Sequence, residues 1–297
     1  MSLYDLHNKR ALITGGGSGI NLELAKALRV KGCAVLIGDV ALHSEAAEWL
    51  KSTEQHAGPK VVFHRIDVTV RERLVGIFDV FSKVFGGVPE IVVPGAGIYE
   101  ASSAGFWDDS EDSLHYKLFD VNLMHPIKTT RIAIPKMRQA KKPGIILHLS
   151  SITAQKPSVV LPLYSVSKAA LSQFVRCMAP LDEMCGIKVV AVAPGIVDTP
   201  LFRDHPGAQN HVNLAKDFFL PTDEVVRAML ALLTDARYRA GTVLEVGDIG
   251  SWREVQILRD VGPQGRSTLP RAKTEDAISW LGKALIEEER SAVSLKL

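Results

Sequence analysis

The chain of 297 residues is 46% hydrophobic and carries 35 basic against 33 acidic side chains, a formal net charge of +2. That length suits one large α/β domain or two small ones, with ample apolar content for a full core. The charge balance gives no case for nucleic acid or an anionic membrane, and no stretch approaches the ~18 unbroken apolar residues of a membrane span.

Met1 to Arg10 lacks the basic-then-apolar order of a signal peptide. Cys33, Cys177 and Cys185 are few, odd in number and set in apolar contexts. They read as buried free thiols and point to a cytoplasmic location.

Arg10 to Thr14 is a short apolar strand. Gly15-Gly16-Gly17-Ser18-Gly19-Ile20-Asn21 follows, and Leu22, Leu24, Ala25, Ala27 and Leu28 then repeat at helical spacing. Strand, glycine turn and helix start together make an anion site, because glycines admit a pyrophosphate to the backbone and unpaired N–H groups attract it. Gly15, Gly17, Ser18, Gly19 and Ile20 are the candidate contacts. The next strand, Ala34 to Ile37, ends at Gly38-Asp39. Asp39 lies 20 residues beyond Gly19, where an acid accepts hydrogen bonds from the adenosine ribose of NAD and repels the 2′-phosphate of NADP. Val40 beside it and Ser18 are not basic, and the other role open to Asp39 is a helix N-cap.

Helices over Ser44 to Gln55 and Arg71 to Phe85 alternate with strands over Lys60 to Ile66 and Ile91 to Val93. This alternation implies right-handed crossovers and a parallel sheet. Asp67-Val68 and Gly95-Ala96-Gly97 fall at strand ends; Asp67 either meets an adenine edge or caps the next helix. One long helix is expected from Asp112 to Met137, interrupted by His125-Pro126 near Asn122. Asn122 is either a core amide bonded to the backbone or a site residue.

Ile145 to Ser150 reads as a buried strand with Ser151 at its C-terminal end, the edge where ligands bind in an open α/β sheet. The helix from Pro162 to Glu183, broken late by Pro180, puts Tyr164 and Lys168 one turn apart on one face. An ammonium near a phenol favours the phenolate, so the Tyr164 pKa is expected to fall. The strand Ile187 to Ala193 leads to Pro194-Gly195-Ile196-Val197-Asp198-Thr199, where Thr199 can offer a hydroxyl and backbone groups to a ligand amide. Leu201 to Leu220, with Phe202, Phe218 and Phe219, reads as a lid. Thr222 to Leu233 is a helix capped by Thr222 or Asp223, and Thr242 to Val246 is the last expected strand. The pattern divides into residues 1–250, a dinucleotide-binding and catalytic domain, and residues 251–297. This C-terminal extension is helical over Glu275 to Glu289 and packs on the domain, a partner subunit or the substrate mouth.

Thr14-Gly15-x-x-x-Gly19, Asp39, Gly95-Ala96-Gly97, Asn122, Ser151, Tyr164, Lys168 and Pro194-Gly195 occur in one order over residues 6–247. Together they resemble the short-chain dehydrogenase/reductase family, and the C-terminal half is similar to its 15-hydroxyprostaglandin dehydrogenase subgroup. The resemblance implies a single Rossmann-type doubly wound parallel sheet with helices on both faces, NAD as cofactor, no metal, and a homodimer or homotetramer. It implies that Tyr164 is the general acid/base, that Ser151 hydrogen-bonds the substrate oxygen, and that Lys168 binds the nicotinamide ribose. Asn122 would hold a water linked to Lys168, while Thr199 and the backbone near Val197 would hold the carboxamide. Two residues depart from the family pattern: Asn21 replaces the third glycine of the turn, and Pro94 stands where an asparagine is usual. Since the two segments should meet, the Asn21 amide is expected to serve that junction.

Tyr99, Ile152, Val159 and Phe202, with neighbours such as Ile98, Phe106, Trp107, Val160, Leu161, Phe218 and Phe219, suit an apolar pocket. The expected activity is oxidation of a secondary alcohol on an apolar small molecule such as a terpenoid, polyketide or steroid-like metabolite. Two uses compete with it: an NADPH-dependent ketone reductase of the same fold, and a dinucleotide sensor without turnover.

Overall fold

The fold was established from a computed structural model, which describes residues 5–100, 105–109, 114–204, 208, 212–213, 215–256, 279, 282–283 and 286–287. Eight strands form one sheet: β1 (Arg10–Thr14), β2 (Ala34–Asp39), β3 (Val61–Arg65), β4 (Ile91–Pro94), β5 (Gly144–Leu149), β6 (Ile187–Pro194), β7 (Val243–Asp248) and β8 (Ser251–Glu254). Their order is β3-β2-β1-β4-β5-β6-β7-β8. All neighbours are parallel except β7 and β8. The chain therefore winds outward twice from β1, the doubly wound arrangement expected from the sequence.

The longer helices are α1 (Gly19–Val30), α2 (Ser44–Gln55), α3 (Arg71–Phe85), α5 (His125–Gln139), α6 (Pro162–Cys177) and α9 (Thr222–Thr234). The shorter ones are α4 (Lys117–Phe119), α7 (Leu181–Cys185) and α8 (Pro200–Arg203). Successive strand residues point to opposite faces, and each face needs its own apolar layer. Ala11, Ile13, Val35, Ile37, Ile91 and Val93 pack with Leu24, Leu28, Val225 and Leu232 of α1 and α9. Leu12, Leu36, Val92 and Ile146 pack with Ile77, Phe78, Ile134 and Val175 of α3, α5 and α6. Each fully buried aliphatic side chain contributes ~1.5–3 kcal/mol, so the two layers hold the strand ends in fixed register.

Four features differ from the sequence expectation. The helix expected from Asp112 to Met137 is α4 and α5 joined by a π turn, Asp120–Met124, in which the His125 N–H donates to the Asp120 carbonyl. Pro126 lacks the N–H that an α-helix would offer to the Asn122 carbonyl, and the wider turn accommodates that loss. Helix α9 is entered through Pro221, with no side-chain cap from Thr222 or Asp223. Ser251–Glu254, expected within the extension, pairs antiparallel with β7 as an eighth strand. All three cysteines are free, but only Cys33 is buried; Cys185 is half-buried and Cys177 exposed. Most of the helix expected over 275–289 lies outside the described residues. Among the described residues no helix is long and apolar enough to cross a membrane.

Candidate active site

The C-terminal ends of β1, β2, β4, β5 and β6 open on one cleft of about 1170 Å³. One half is set by the turn after β1. Gly15 has φ +72, and a side chain there would run into the Ala96 backbone, so the first turn and the segment after β4 touch only because residue 15 is glycine. Ser18 is the α1 N-cap and makes no side-chain cap bond, leaving the first-turn N–H groups of α1 to face the cleft. Gly15, Ser18, Gly19 and Ile20 line this half, as expected. Gly17 does not: its N–H is turned to the Asp39 carboxylate at 2.8 Å. Asp39 also accepts from the Val40 N–H at 2.7 Å. Two of its roughly four lone-pair sites stay available, and both Asp39 and Val40 line the cleft.

Asp67 and Val68 line the same half. Asp67 accepts from the Thr69 N–H and hydroxyl at 2.9 and 2.7 Å, bonds that hold its carboxyl below the usual range. The cap of α3 is Val70, so Asp67 closes a local turn and does not cap that helix. Gly95, Ala96 and Gly97 form the floor. The Asn21 amide reaches this junction and donates to Gly95 O at 2.9 Å and to Gly15 O at 3.2 Å. It bridges the two departures that the sequence placed together.

The other half carries the hydroxyls and the amine. Ser151 ends β5 as the cap of a short 3-10 turn, Ile152–Ala154, and accepts from the Thr153 N–H at 3.2 Å. Tyr164 sits in the first turn of α6, with the Ser151 hydroxyl near enough to favour its phenolate. Lys168, one turn on, donates to Leu149 O at 2.9 Å, with its Nζ 5.4 Å from the Tyr164 ring centre. Burial lowers the Lys168 pKa to about 8. It also pushes Tyr164 up to about 12, with the Ser151 bond pulling the other way. The lowered phenol expected from the Tyr–Lys spacing is thus not found. The loss of hydration outweighs a lysine that sits over the ring and spends one N–H on a carbonyl.

Asn122 stands beneath this group and does not line the cleft. Its side chain accepts from the Ile98 N–H and donates to the Ile98 carbonyl, both at 2.8 Å. The amide is therefore committed to the backbone of Ile98.

Pro194, Gly195, Val197 and Thr199 line the far wall after β6, with the Thr199 hydroxyl donating to Val197 O at 3.3 Å. Tyr99, Ile152, Val159 and Phe202 line the apolar end. The Tyr99 ring meets Tyr164 and Phe202 edge-on, with centres 5.4 and 5.3 Å apart. Val159 is a rim residue, 74% exposed, whose carbonyl accepts from the Trp107 indole at 2.7 Å.

Sequence reasoning passed over two buried groups here. The His125 Nδ1 lies 3.1 Å from Val121 O, which can only accept, so its Nε2 accepts from the Thr14 hydroxyl at 2.9 Å. Thr14 in turn accepts from the Gly95 N–H at 3.1 Å. Burial lowers the His125 pKa to about 4, which keeps the ring neutral as a tie between α5 and the cleft floor. The second group is Glu100, 2% exposed, whose carboxylate accepts from the Tyr164 N–H at 2.8 Å. Its only sequence signal is an acid within an otherwise apolar loop.

A doubly wound sheet with a glycine turn at its first crossover and a serine, a tyrosine and a lysine across one cleft defines a dehydrogenase of the dinucleotide-binding class. The chain belongs to the short chain dehydrogenase family, whose profile matches residues 9–210. It is 29% identical over 240 residues to cis-4-hydroxycyclohexanecarboxylate dehydrogenase of Sinomonas cyclohexanicum, covering 80% of this chain and 94% of that one. It is 30% identical over 248 residues to 3beta-hydroxysteroid dehydrogenase 1 of Eggerthella lenta, covering 82% and 93%. A solved short-chain type dehydrogenase/reductase from Mycobacterium marinum superposes with a TM-score of 0.69 at 26% identity, over 82% of this chain and 96% of that one. The protein is an oxidoreductase of this family, which acts with a nicotinamide dinucleotide.

Proposed function

We propose that the protein oxidises a secondary alcohol on an apolar small molecule, using NAD. The observation that carries this reading is a single cleft with the Asp39 carboxylate at one end and the Ser151 hydroxyl, Tyr164 phenol and Lys168 ammonium at the other. The residues present fit a dinucleotide: open N–H groups at the α1 start suit a pyrophosphate, and the free lone pairs of Asp39 suit two ribose hydroxyls. Gly15, Ser18, Gly19 and Ile20 would hold the phosphates, Asp39 and Val40 the adenosine ribose, and Asp67 and Val68 the adenine. Gly95 to Gly97, Lys168, Pro194, Gly195, Val197 and Thr199 would hold the nicotinamide half. The dinucleotide, when bound, supplies the hydride acceptor for the carbinol carbon.

The protein's own residues handle orientation and the proton. Ser151 donates to the carbinol oxygen and fixes it beside Tyr164. The Tyr164 phenolate accepts the carbinol proton as the C–H electron pair leaves, so the carbinol becomes a ketone and the phenol is restored. Lys168 holds a positive charge beside the ring at neutral pH and favours the phenolate. Tyr99, Ile152 and Phe202 form an apolar wall beside the reacting centre, with Val159 at its rim.

The names of the two relatives, a hydroxycyclohexane acid dehydrogenase and a hydroxysteroid dehydrogenase, support a cyclic secondary alcohol. Asp39 disfavours the opposed reading, an NADPH-dependent reductase, because a 2′-phosphate would meet a carboxylate. A screen of cyclohexanol, hydroxysteroid, terpenoid and aliphatic alcohols with NAD and with NADP tests the proposal, following absorbance of the reduced nicotinamide. Turnover with NAD that vanishes in Tyr164→Phe is expected, with NAD affinity retained. An active Tyr164→Phe enzyme would end the proposal, and NAD binding without turnover on any alcohol would favour a sensor.

A further inference from the structure

We infer that Glu100 is a positioning residue for Tyr164, docking the strap Ile98-Tyr99-Glu100 onto the first turn of α6. This inference rests on the proposed role of Tyr164. The strap is held at two points. At its start the Asn122 side chain grips both backbone groups of Ile98 at 2.8 Å. At its end the Glu100 Oε2 accepts from the Tyr164 N–H at 2.8 Å. Its Oε1 accepts from the Phe106 N–H at 3.3 Å, which ties in the next loop as well. Between these anchors the Tyr99 ring lies edge-on against the Tyr164 ring.

The sequence makes this contact necessary. Helix α6 begins with Pro162 in its first turn and has no side-chain cap of its own. Early N–H groups of a helix have no intrahelical acceptor, and the Tyr164 N–H is one of them. A carboxylate from elsewhere in the chain supplies that acceptor and complements the positive end of the helix dipole. At 2% exposure, Glu100 sits where an unsatisfied charge would be costly, so the bond is maintained. The consequence is geometric. The residue whose phenol must meet the substrate has its own backbone fixed by the strap that forms the adjoining pocket wall. Substrate wall and proton acceptor are thereby held at one separation.

Three variants test this: Glu100→Gln keeps one acceptor oxygen at full reach for the Tyr164 N–H and gives up the longer contact to Phe106, Glu100→Asp keeps the charge but is one methylene too short, and Glu100→Ala removes both. With NAD and the best alcohol of the screen, kcat should fall roughly 10- to 100-fold in Glu100→Ala and substantially in Glu100→Asp. Glu100→Gln should stay within about threefold of the wild type, and the NAD Kd should be unchanged in all three, since Glu100 does not line the cleft. Amide exchange of Tyr164 provides a readout independent of turnover. It should be at least ~10-fold faster in Glu100→Ala and Glu100→Asp than in Glu100→Gln. Wild-type kcat in Glu100→Asp, equal losses in Glu100→Gln and Glu100→Ala, or unchanged Tyr164 exchange would each overturn the inference. If Glu100→Ala does not fold, the Glu100→Asp and Glu100→Gln pair decides. An active Tyr164→Phe enzyme would instead remove the functional reading itself, so the two failures are distinct.

Discussion

The Asn21 amide nitrogen donates to Gly95 O and Gly15 O together, at 2.9 and 3.2 Å, and so joins the first turn to the segment after β4. Both partners are carbonyls, which fixes the amide orientation: the nitrogen must face them. Asn21→Ala leaves two part-buried carbonyls without this donor and should cost about 1 kcal/mol. Asn21→Asp places a carboxylate against the same carbonyls and beside the pyrophosphate half of the cleft, so it should cost more than alanine and weaken NAD binding further. Urea denaturation with NAD titration checks the order. Equal stability of the two variants would contradict it.

Asp39 has two tasks, closing the glycine turn through Gly17 and presenting its remaining lone pairs to the cleft. Asp39→Ser removes the charge that repels a 2′-phosphate and a strong acceptor for ribose hydroxyls. Hydrogen bonds to charged groups contribute ~1.5–3 kcal/mol, so NAD affinity should fall at least tenfold while NADP affinity rises. Dissociation constants for both dinucleotides measure the change.

Burial raises the Tyr164 phenol to about 12, and only its phenolate form accepts a proton from an alcohol. The phenolate fraction grows with pH, so kcat/KM for oxidation should climb steadily through the neutral and alkaline range, with no plateau below about pH 12. Ketone reduction needs the protonated phenol and should instead be level there and fall at high pH. Ser151 contributes the bond that pulls the phenol down, so Ser151→Ala should move the oxidation midpoint upward. An oxidation profile flat with pH would exclude Tyr164 as the acceptor.

Lys168 is held near pKa 8 by burial, against 10.5 for a solvated lysine. The unfolded chain therefore binds the extra proton between pH 8 and 10.5, and the contribution of Lys168 to stability rises with pH across that window. Below pH 8 the full deficit applies, on the order of 3 kcal/mol, partly offset by the bond to Leu149 O. Lys168→Met should accordingly raise the melting temperature at pH 7 by a few degrees while abolishing turnover. The gain should shrink as pH rises past 9. A less stable Lys168→Met at pH 7 would show that the Leu149 bond outweighs burial.

Local pattern settled much of this protein. The alternation of apolar strands with helices pointed to a parallel sheet, since each strand buries both faces, and its doubly wound order followed from the family resemblance of the ordered motifs. Even the junction of Asn21 with the end of β4 was legible, because two departures from the family pattern fell in segments expected to touch. Tertiary structure decided what depends on distance and hydration. Burial set the direction of the Tyr164 pKa, against the one-turn pairing with Lys168. A long-range clamp committed the Asn122 amide to Ile98, and the acceptor for the Tyr164 N–H came from Glu100, 64 residues away. A linear pattern shows which groups are one turn apart, but it does not show which polar groups lose water together, and at the cleft floor that loss governs charge and position.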